Sequence, residues 1–409
     1  MNPILAALGL SLVFGSLSAG ASEADVGLLK KIVEINSGSK NFAGVKEVER
    51  VIEGELTALG FSTAYLDNPE GMSLSAPMLV GVLKGKRPDR FVTLVTHADT
   101  VFESSSGFLK FSESPDDPAG PQLLGPGVGD DKGGLVIALS GMKQLLSLGH
   151  ELPYSIRFLV SPNEEVGSPG FESVFKSFAK DSVAVLGFED APANGEIVDG
   201  RSAISKYTLS ITGKEAHAGT NHADGINACI ELSQKLVELA KITDYKNRIT
   251  LNVGAVSGGS EKTNVVCGSA SASFEVRYPD VKTQKLVQAK IEKILRKVFV
   301  HSSSGNVPSI TEFTLKPGRP PFGMNAKSRP YIAKYREILT ADEDRPIQSG
   351  PMGGSADVSY LAGPDMIVID DLGAVGGAAH TKEEHILKSS LVTRSKAFVE
   401  FMRWFFARN

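Results

Sequence analysis

The chain has 409 residues, 42% of them hydrophobic and 22% charged, with a formal net charge of −4 at pH 7. That length fits two domains, or one large domain with an insertion, and the apolar share is ample for a buried core. Both signs of charge are spread along the chain and no basic cluster tracks a nucleic-acid backbone, which excludes nucleic acid as a partner.

Residues 1–21 carry no charged side chain, Ile4 to Val13 is mostly apolar, and Ala19-Gly20-Ala21 has the small-x-small form of a signal-peptidase site. This reads as a secretory signal cleaved near Ser22, which places the mature protein in the periplasm or outside the cell. No other stretch is long and apolar enough to span a bilayer, so no membrane partner is expected. Residues 24–60 have helical spacing, broken once by Ser and Gly. Strand-like runs follow at 61–66, 77–84 and 91–96, then a polar loop over 103–123. A helix is predicted over Lys132–Leu148, a strand over 154–160, a short helix near 169–178 and a strand over 183–188. Short apolar, β-rich runs alternating with helices predict an α/β fold with central strands and helices on both faces.

From Ser202 the order changes to strand (202–212), helix (227–241), two strands (249–256 and 265–278), helix (281–300) and strand (310–315). That is the β-α-β-β-α-β order of a ferredoxin-like layer, inserted into the sheet domain. The chain then returns through helices 328–340 and 355–362, a strand at 366–370 and a closing helix over 387–407. The organisation expected is a signal (1–21), a catalytic domain in two parts (22–200 and 317–409), and the inserted domain (201–316). Cys229 and Cys267 are too few for a disulfide framework or a metal cluster. They read as two small core residues, a single bridge being left open.

Five residues of metal-ligand type lie beyond apolar runs: His97, Asp130, Glu165, Glu189 and His380. Ligands in α/β sheets bind beyond the carboxyl ends of the strands, so these side chains are expected to converge there. Two histidines and three carboxylates suit two divalent ions with one shared carboxylate. His97 and Asp99 are two apart at a strand end, hence on one face, and Asp99 can orient the imidazole directly or by shaping the loop. Asp130 stands in Gly125-Pro126-Gly127-Val128-Gly129-Asp130-Asp131, just before a helix, as a cap or as a carboxylate bridging two ions. Glu164 and Glu165 are adjacent and point apart, so one can bind metal while the other acts as a base. His380 follows two glycines and two alanines, with little bulk around it.

Together these segments resemble a known family. HADT at 97–100, GPGVGDDKGG at 125–134, NEE at 163–165, FED at 188–190 and AAH at 378–380 match, in order, the motifs of the co-catalytic di-zinc peptidases. That family includes carboxypeptidase G, aminoacylase, carnosine dipeptidases and succinyl-diaminopimelate desuccinylase. The resemblance implies a zinc-peptidase sheet domain and a ferredoxin-like lid and dimerisation domain. It implies two Zn2+ per subunit (Co2+ or Mn2+ would suit the same ligands), one held by His97 and Glu189, one by Glu165 and His380, with Asp130 bridging. Glu164 would be the general base, Asp99 a supporting residue, and Asp130-Asp131 a cis peptide. His217, in Lys214-Glu215-Ala216-His217, would polarise the scissile carbonyl in the neighbouring subunit of a homodimer. Asn264, Arg277 and Arg319 would lie against the substrate, Arg277 on its carboxylate. Asp357 follows a glycine-rich loop with one extra residue, which leaves its role open. The implied activity is amide hydrolysis releasing a C-terminal amino acid such as glutamate from a small peptide or N-acyl amino acid. An N-acyl-amino-acid deacylase or a di- or tripeptidase is the alternative within the family. A periplasmic binding protein without catalysis is the alternative outside it.

Overall fold

The structure is a computed structural model that describes residues 23–408 apart from 116, 117, 119, 150, 261 and 344. The predicted signal segment therefore lies outside the described residues. The first helix, Glu23–Val33, buries Val26, Leu29, Ile32 and Val33 on one stripe, with acids in its first turn and lysines in its last, as the helix dipole favours. The second, Phe42–Ala58, starts where the Asn41 side chain accepts the Gly44 N–H at 3.2 Å.

The central sheet has six strands in the spatial order Ser62–Leu66, Met78–Leu83, Tyr154–Ser161, Arg87–His97, Ser182–Gly187 and Ile367–Ile369. The last four run parallel. Their side chains alternate between two cores. Val92, Leu94, Ile156, Phe158, Ala184, Leu186, Ile367 and Ile369 join one face, and Val95, Leu159, Val185 and Val368 join the other. Both faces are covered by helices, which is why the strands read as continuous apolar runs. Each fully buried Leu or Ile contributes about 1.5–3 kcal/mol relative to exposure.

Residues 203–317 carry a second sheet of four antiparallel strands, in the order Thr250–Gly258, Ser269–Tyr278, Ala203–Thr212 and Ile310–Pro317. The helices Ala228–Ala240 and Val281–Arg296 pack on one face of it. Asn227 and Asp280 cap them by accepting the N–H groups of Ile230 and Thr283. The β-α-β-β-α-β order is the one predicted.

Some expectations change. The polar loop 103–123 contains the strands Ser112–Ser114 and Gln122–Leu124, which pair with each other, the second also with His385–Leu387. Ile197–Arg201 pairs in parallel with Ser349–Met352. These pieces are short and pair with distant residues, so no local periodicity marks them. The helix predicted over 355–362 is a single turn, Val358–Leu361. The strand predicted from Val265 begins only at Ser269. Before it, Val266 N–H donates to the Ala216 carbonyl, and Cys267 is bonded to Cys229 with Cα atoms 5.8 Å apart. The two cysteines are a bridge rather than two free core thiols.

Candidate metal centre

Three neighbouring parallel strands stop at one edge of the sheet. Arg87–His97 ends on His97, Tyr154–Ser161 is followed by Glu164 and Glu165, and Ser182–Gly187 by Glu189. Asp130 arrives from the glycine loop ahead of the helix Lys132–Ser147, and His380 from the loop after Gly376–Gly377. The helix approaches the strand end this closely because residue 134 is glycine. A Cβ there would lie 1.9 Å from Asp131 Oδ1 and 2.0 Å from the Phe188 carbonyl. The Asp130-Asp131 peptide is cis, as the resemblance implied.

The five predicted ligands come together. Asp130 sits between the two histidines: Oδ1 is 2.8 Å from His97 Nε2 and Oδ2 is 3.1 Å from His380 Nε2. Glu189 Oε2 lies 3.6 Å from His97 Nε2, and Glu165 Oε2 lies 3.2 Å from His380 Nε2. Ligand atoms of His97, Glu164 and Glu189 fall within 4.8 Å of one another, and so do those of Asp130, Glu165 and His380.

This donor set fits two divalent cations. His97 Nδ1 faces the Asp99 backbone carbonyl at 3.0 Å. A carbonyl only accepts, so Nδ1 carries a proton and Nε2 is the ring nitrogen turned toward the carboxylates of Asp130 and Glu189. Nε2 meets them either as an N–H of the imidazolium or, in the neutral ring, through a cation between them. Charge supports the same reading. Burial disfavours the imidazolium at His97, yet Glu189, Asp130 and Asp99 outweigh it and hold its pKa well above the ordinary value. Hydrogen bonds to Asp130 and Glu165 push His380 up to about 11. Burial, then Asp130, lifts Glu165 to about 7, and burial, then Asp130 and Glu189, lifts Asp190 to about 7. Burial raises Glu189 and Glu164 as well. A buried pocket so rich in carboxylates calls for positive charge from outside the chain.

Asp99 works mainly through the backbone. Its Oδ1 accepts the Glu164 N–H at 2.9 Å, and its Oδ2 accepts the Glu165 N–H at 3.2 Å and the Ser39 hydroxyl at 2.6 Å. One carboxylate thereby fixes the turn that carries both glutamates. Glu384, which is not among the residues expected from sequence, does the same for the glycine loop. Its Oε1 accepts the N–H groups of Gly129 and Asp130 at 2.9 and 3.2 Å, and its Oε2 that of Gly127 at 3.1 Å. Only its place four residues after His380 hinted at a role. Behind Glu189, buried Arg201 is held by Asp370 and Asp371.

The inserted unit's candidates lie apart from this cluster. His217 and Asn264 are exposed, and their hydrogen bonds stay within that unit. His217 Nδ1 accepts the N–H groups of Gly219 and Thr220, each at 3.1 Å, so a neutral ring carries its proton on Nε2. Arg277 pairs with Glu275 at 3.0 Å and donates to the Gly353 carbonyl at 2.9 Å. Arg319 departs from expectation. It is buried, with one guanidinium nitrogen 2.8 Å from Glu164 Oε1 and 2.9 Å from Asp357 Oδ1. Its donors are spent inside the protein rather than offered to a substrate. The open role of Asp357 is thereby filled: it is the partner of Arg319.

Known proteins resemble this chain in sequence and in fold. Carboxypeptidase G2 of Pseudomonas sp. (strain RS-16) is 28% identical over 373 residues, covering 90% of this chain and 85% of that protein. Among solved structures, the aminopeptidase PepT of Bacillus cereus ATCC 10987 superposes with a TM-score of 0.76 at 20% identity, covering 93% and 98% of the two chains. An M20 family metallo-carboxypeptidase, Sso-CP2 of Sulfolobus solfataricus, superposes with a TM-score of 0.72 at 16% identity, covering 94% and 99%. The description of peptidase family M20/M25/M40 matches residues 93–404, and the chain belongs to that family of metal-dependent hydrolases.

Proposed function

We propose that this protein is a secreted di-zinc metallopeptidase that hydrolyses an amide bond and releases a C-terminal amino acid, with glutamate the first candidate. The observation that carries the reading is the two-sided arrangement around Asp130, one histidine and one further carboxylate on each side, with the spare carboxylate of Glu164 beside it. His97 and Glu189 would hold one ion, His380 and Glu165 the other, and Asp130 would bridge. Such ions supply Lewis-acid charge at the scissile carbonyl and make the attacking water more acidic.

The chain's own groups do the rest. Glu164 takes the proton of the attacking water and passes it to the leaving nitrogen. Burial raises its pKa well above the usual carboxylate range against the pull of Arg319, which suits a group that must both accept and return a proton. His217, with its proton on Nε2, is a donor for the carbonyl oxygen as charge develops there. In a homodimer joined through the inserted unit, that donor would come from the neighbouring subunit. Arg277, about one-third exposed, offers a planar fork to a substrate carboxylate. The 28% identity to carboxypeptidase G2 supports the C-terminal specificity.

The test is release of C-terminal amino acids from a panel of N-acyl amino acids and dipeptides by zinc-loaded protein, with a chelator control. Chelator-sensitive cleavage that favours C-terminal Glu is expected. Cleavage set by the acyl group would replace the reading with a deacylase, and cleavage of free dipeptides or tripeptides alone with a peptidase of that kind.

A further inference from the structure

The chain enters the inserted unit at residues 201–203 and leaves it at 317–322, and the two crossings are paired with each other. Gly318 N–H donates to the Ile204 carbonyl at 2.9 Å and Ile204 N–H to the Arg319 carbonyl at 3.3 Å. Arg201 and Phe322 exchange bonds of 2.9 and 3.1 Å. Arg319 thus has its backbone in the two-stranded connection between the two units.

Its side chain ends elsewhere. Nη2 donates to the Glu164 carbonyl at 2.6 Å and lies 2.8 Å from Glu164 Oε1, so it grips both the backbone and the carboxylate of that residue. Nε and Nη2 donate to Asp357 Oδ1 at 3.1 and 2.9 Å, and Nη1 to the Ser355 carbonyl at 3.3 Å. Asp357 Oδ1 also accepts the Ser168 hydroxyl at 2.5 Å. The guanidinium is therefore wedged between the turn that carries the base and the segment before the helix Val358–Leu361. A planar fork can satisfy these directions at once, and a point charge cannot.

We propose that Arg319 is a positioning residue that sets the alignment of Glu164 and makes it depend on the connection between the two units. On this proposal, a turn of the inserted unit about that connection would reach the base through Arg319. The inference rests on the reading of Glu164 as the general base. It goes beyond that reading by giving the connection between the units a direct line to the chemistry, and it replaces the substrate contact expected of Arg319 from sequence.

The experiment compares Arg319→Ala and Arg319→Lys with wild type as zinc-loaded full-length proteins on the best substrate of the panel. Misplacing a catalytic group by about an ångström costs on the order of 100-fold in rate. The expected result is a fall in kcat of that order for Ala and a smaller fall for Lys. Metal content and KM stay nearly unchanged, and added guanidinium partly restores the Ala variant. In a Glu164→Asp background, Arg319→Lys should cost clearly less than in wild type, because the two residues act as one unit. A fluorophore pair on Lys285 and Lys176 reads the distance between the units, and it should change alike in Glu164→Ala and Arg319→Lys. If Arg319→Ala does not fold, Arg319→Lys and the distance measurement decide. A raised KM with wild-type kcat would make Arg319 a substrate anchor and overturn the proposal. So would additive effects in the Asp background, or a distance that neither variant changes. Wild-type turnover in Glu164→Gln would defeat the base assignment itself, an outcome distinct from inactive Glu164→Gln beside fully active Arg319 variants.

Discussion

Glu384→Gln isolates the support of the bridging carboxylate without touching any predicted ligand. The native carboxylate accepts three backbone N–H groups of the Gly127–Asp130 loop at 2.9–3.2 Å, and the side chain is almost wholly buried. Glutamine can keep its oxygen on Gly129 and Asp130. Its amide then turns N–H groups toward the Gly127 N–H, so one charge-assisted bond is lost and a donor is left facing donors. Losing such a bond in a buried place costs about 2 kcal/mol, and Glu384→Ala, which strands all three donors, about 4 kcal/mol. If the 2 kcal/mol falls on the loop's metal-binding geometry, affinity drops about 30-fold. That lies within the ~10- to 100-fold usual for groups that orient metal ligands. Competition for zinc against a chromogenic chelator measures it, with denaturant unfolding of the metal-free protein as the control for general stability. Metal affinity equal to wild type in both variants would refute the argument that Glu384 holds Asp130 in place.

Asp99→Ala removes the acceptor of the Glu164 and Glu165 N–H groups and of Ser39. It should lower kcat/KM by about 10- to 100-fold, and steady-state kinetics at saturating zinc would show whether it does. Breaking the Cys229–Cys267 bridge, which spans a sequence separation of 38, should cost about 2–4 kcal/mol in the unfolding of residues 203–317 and leave zinc content unchanged. A denaturant midpoint that Cys229→Ser does not move would count against it. Glu49 on the helix Phe42–Ala58 is buried, and burial, opposed by the Leu79 backbone, raises its pKa well above 4.5. The fold therefore holds a proton that the unfolded chain gives up, and stability falls as pH rises from about 4.5 toward the folded pKa. Glu49→Gln should raise Tm more at pH 8 than at pH 5, and an equal shift at both would contradict the assignment.

What could be read from sequence was what local pattern carries. The central strands are buried on both faces, so Phe91–Thr96 and Val183–Phe188 stood out as apolar runs, and the residues that follow them became candidates. Ordered motifs then linked His97, Asp130, Glu164, Glu165, Glu189 and His380, which the fold gathers at one sheet edge. What escaped depends on contacts between distant residues. Arg319 meets Glu164 across 155 positions, and Glu384 meets Gly129 across 255. Nothing in the neighbourhood of either residue records such a partner. Arg319 was placed against the substrate only by the resemblance of its segment, whereas here its side chain turns inward to Glu164 and Asp357. The bridge of Cys229 to Cys267 was left open by the sequence because it depends on the segment before Ser269 lying beside the loop that carries Ala216.

The central claim is that Asp130 bridges two ions and that both are needed for hydrolysis. The direct measurement is to strip the protein with a chelator, add Zn2+ stepwise, and follow turnover and bound metal in the same samples. Two ions bound per chain, with turnover complete only at the second, is the result predicted. Full turnover in the stripped protein, or at one ion per chain with no further binding, would contradict it.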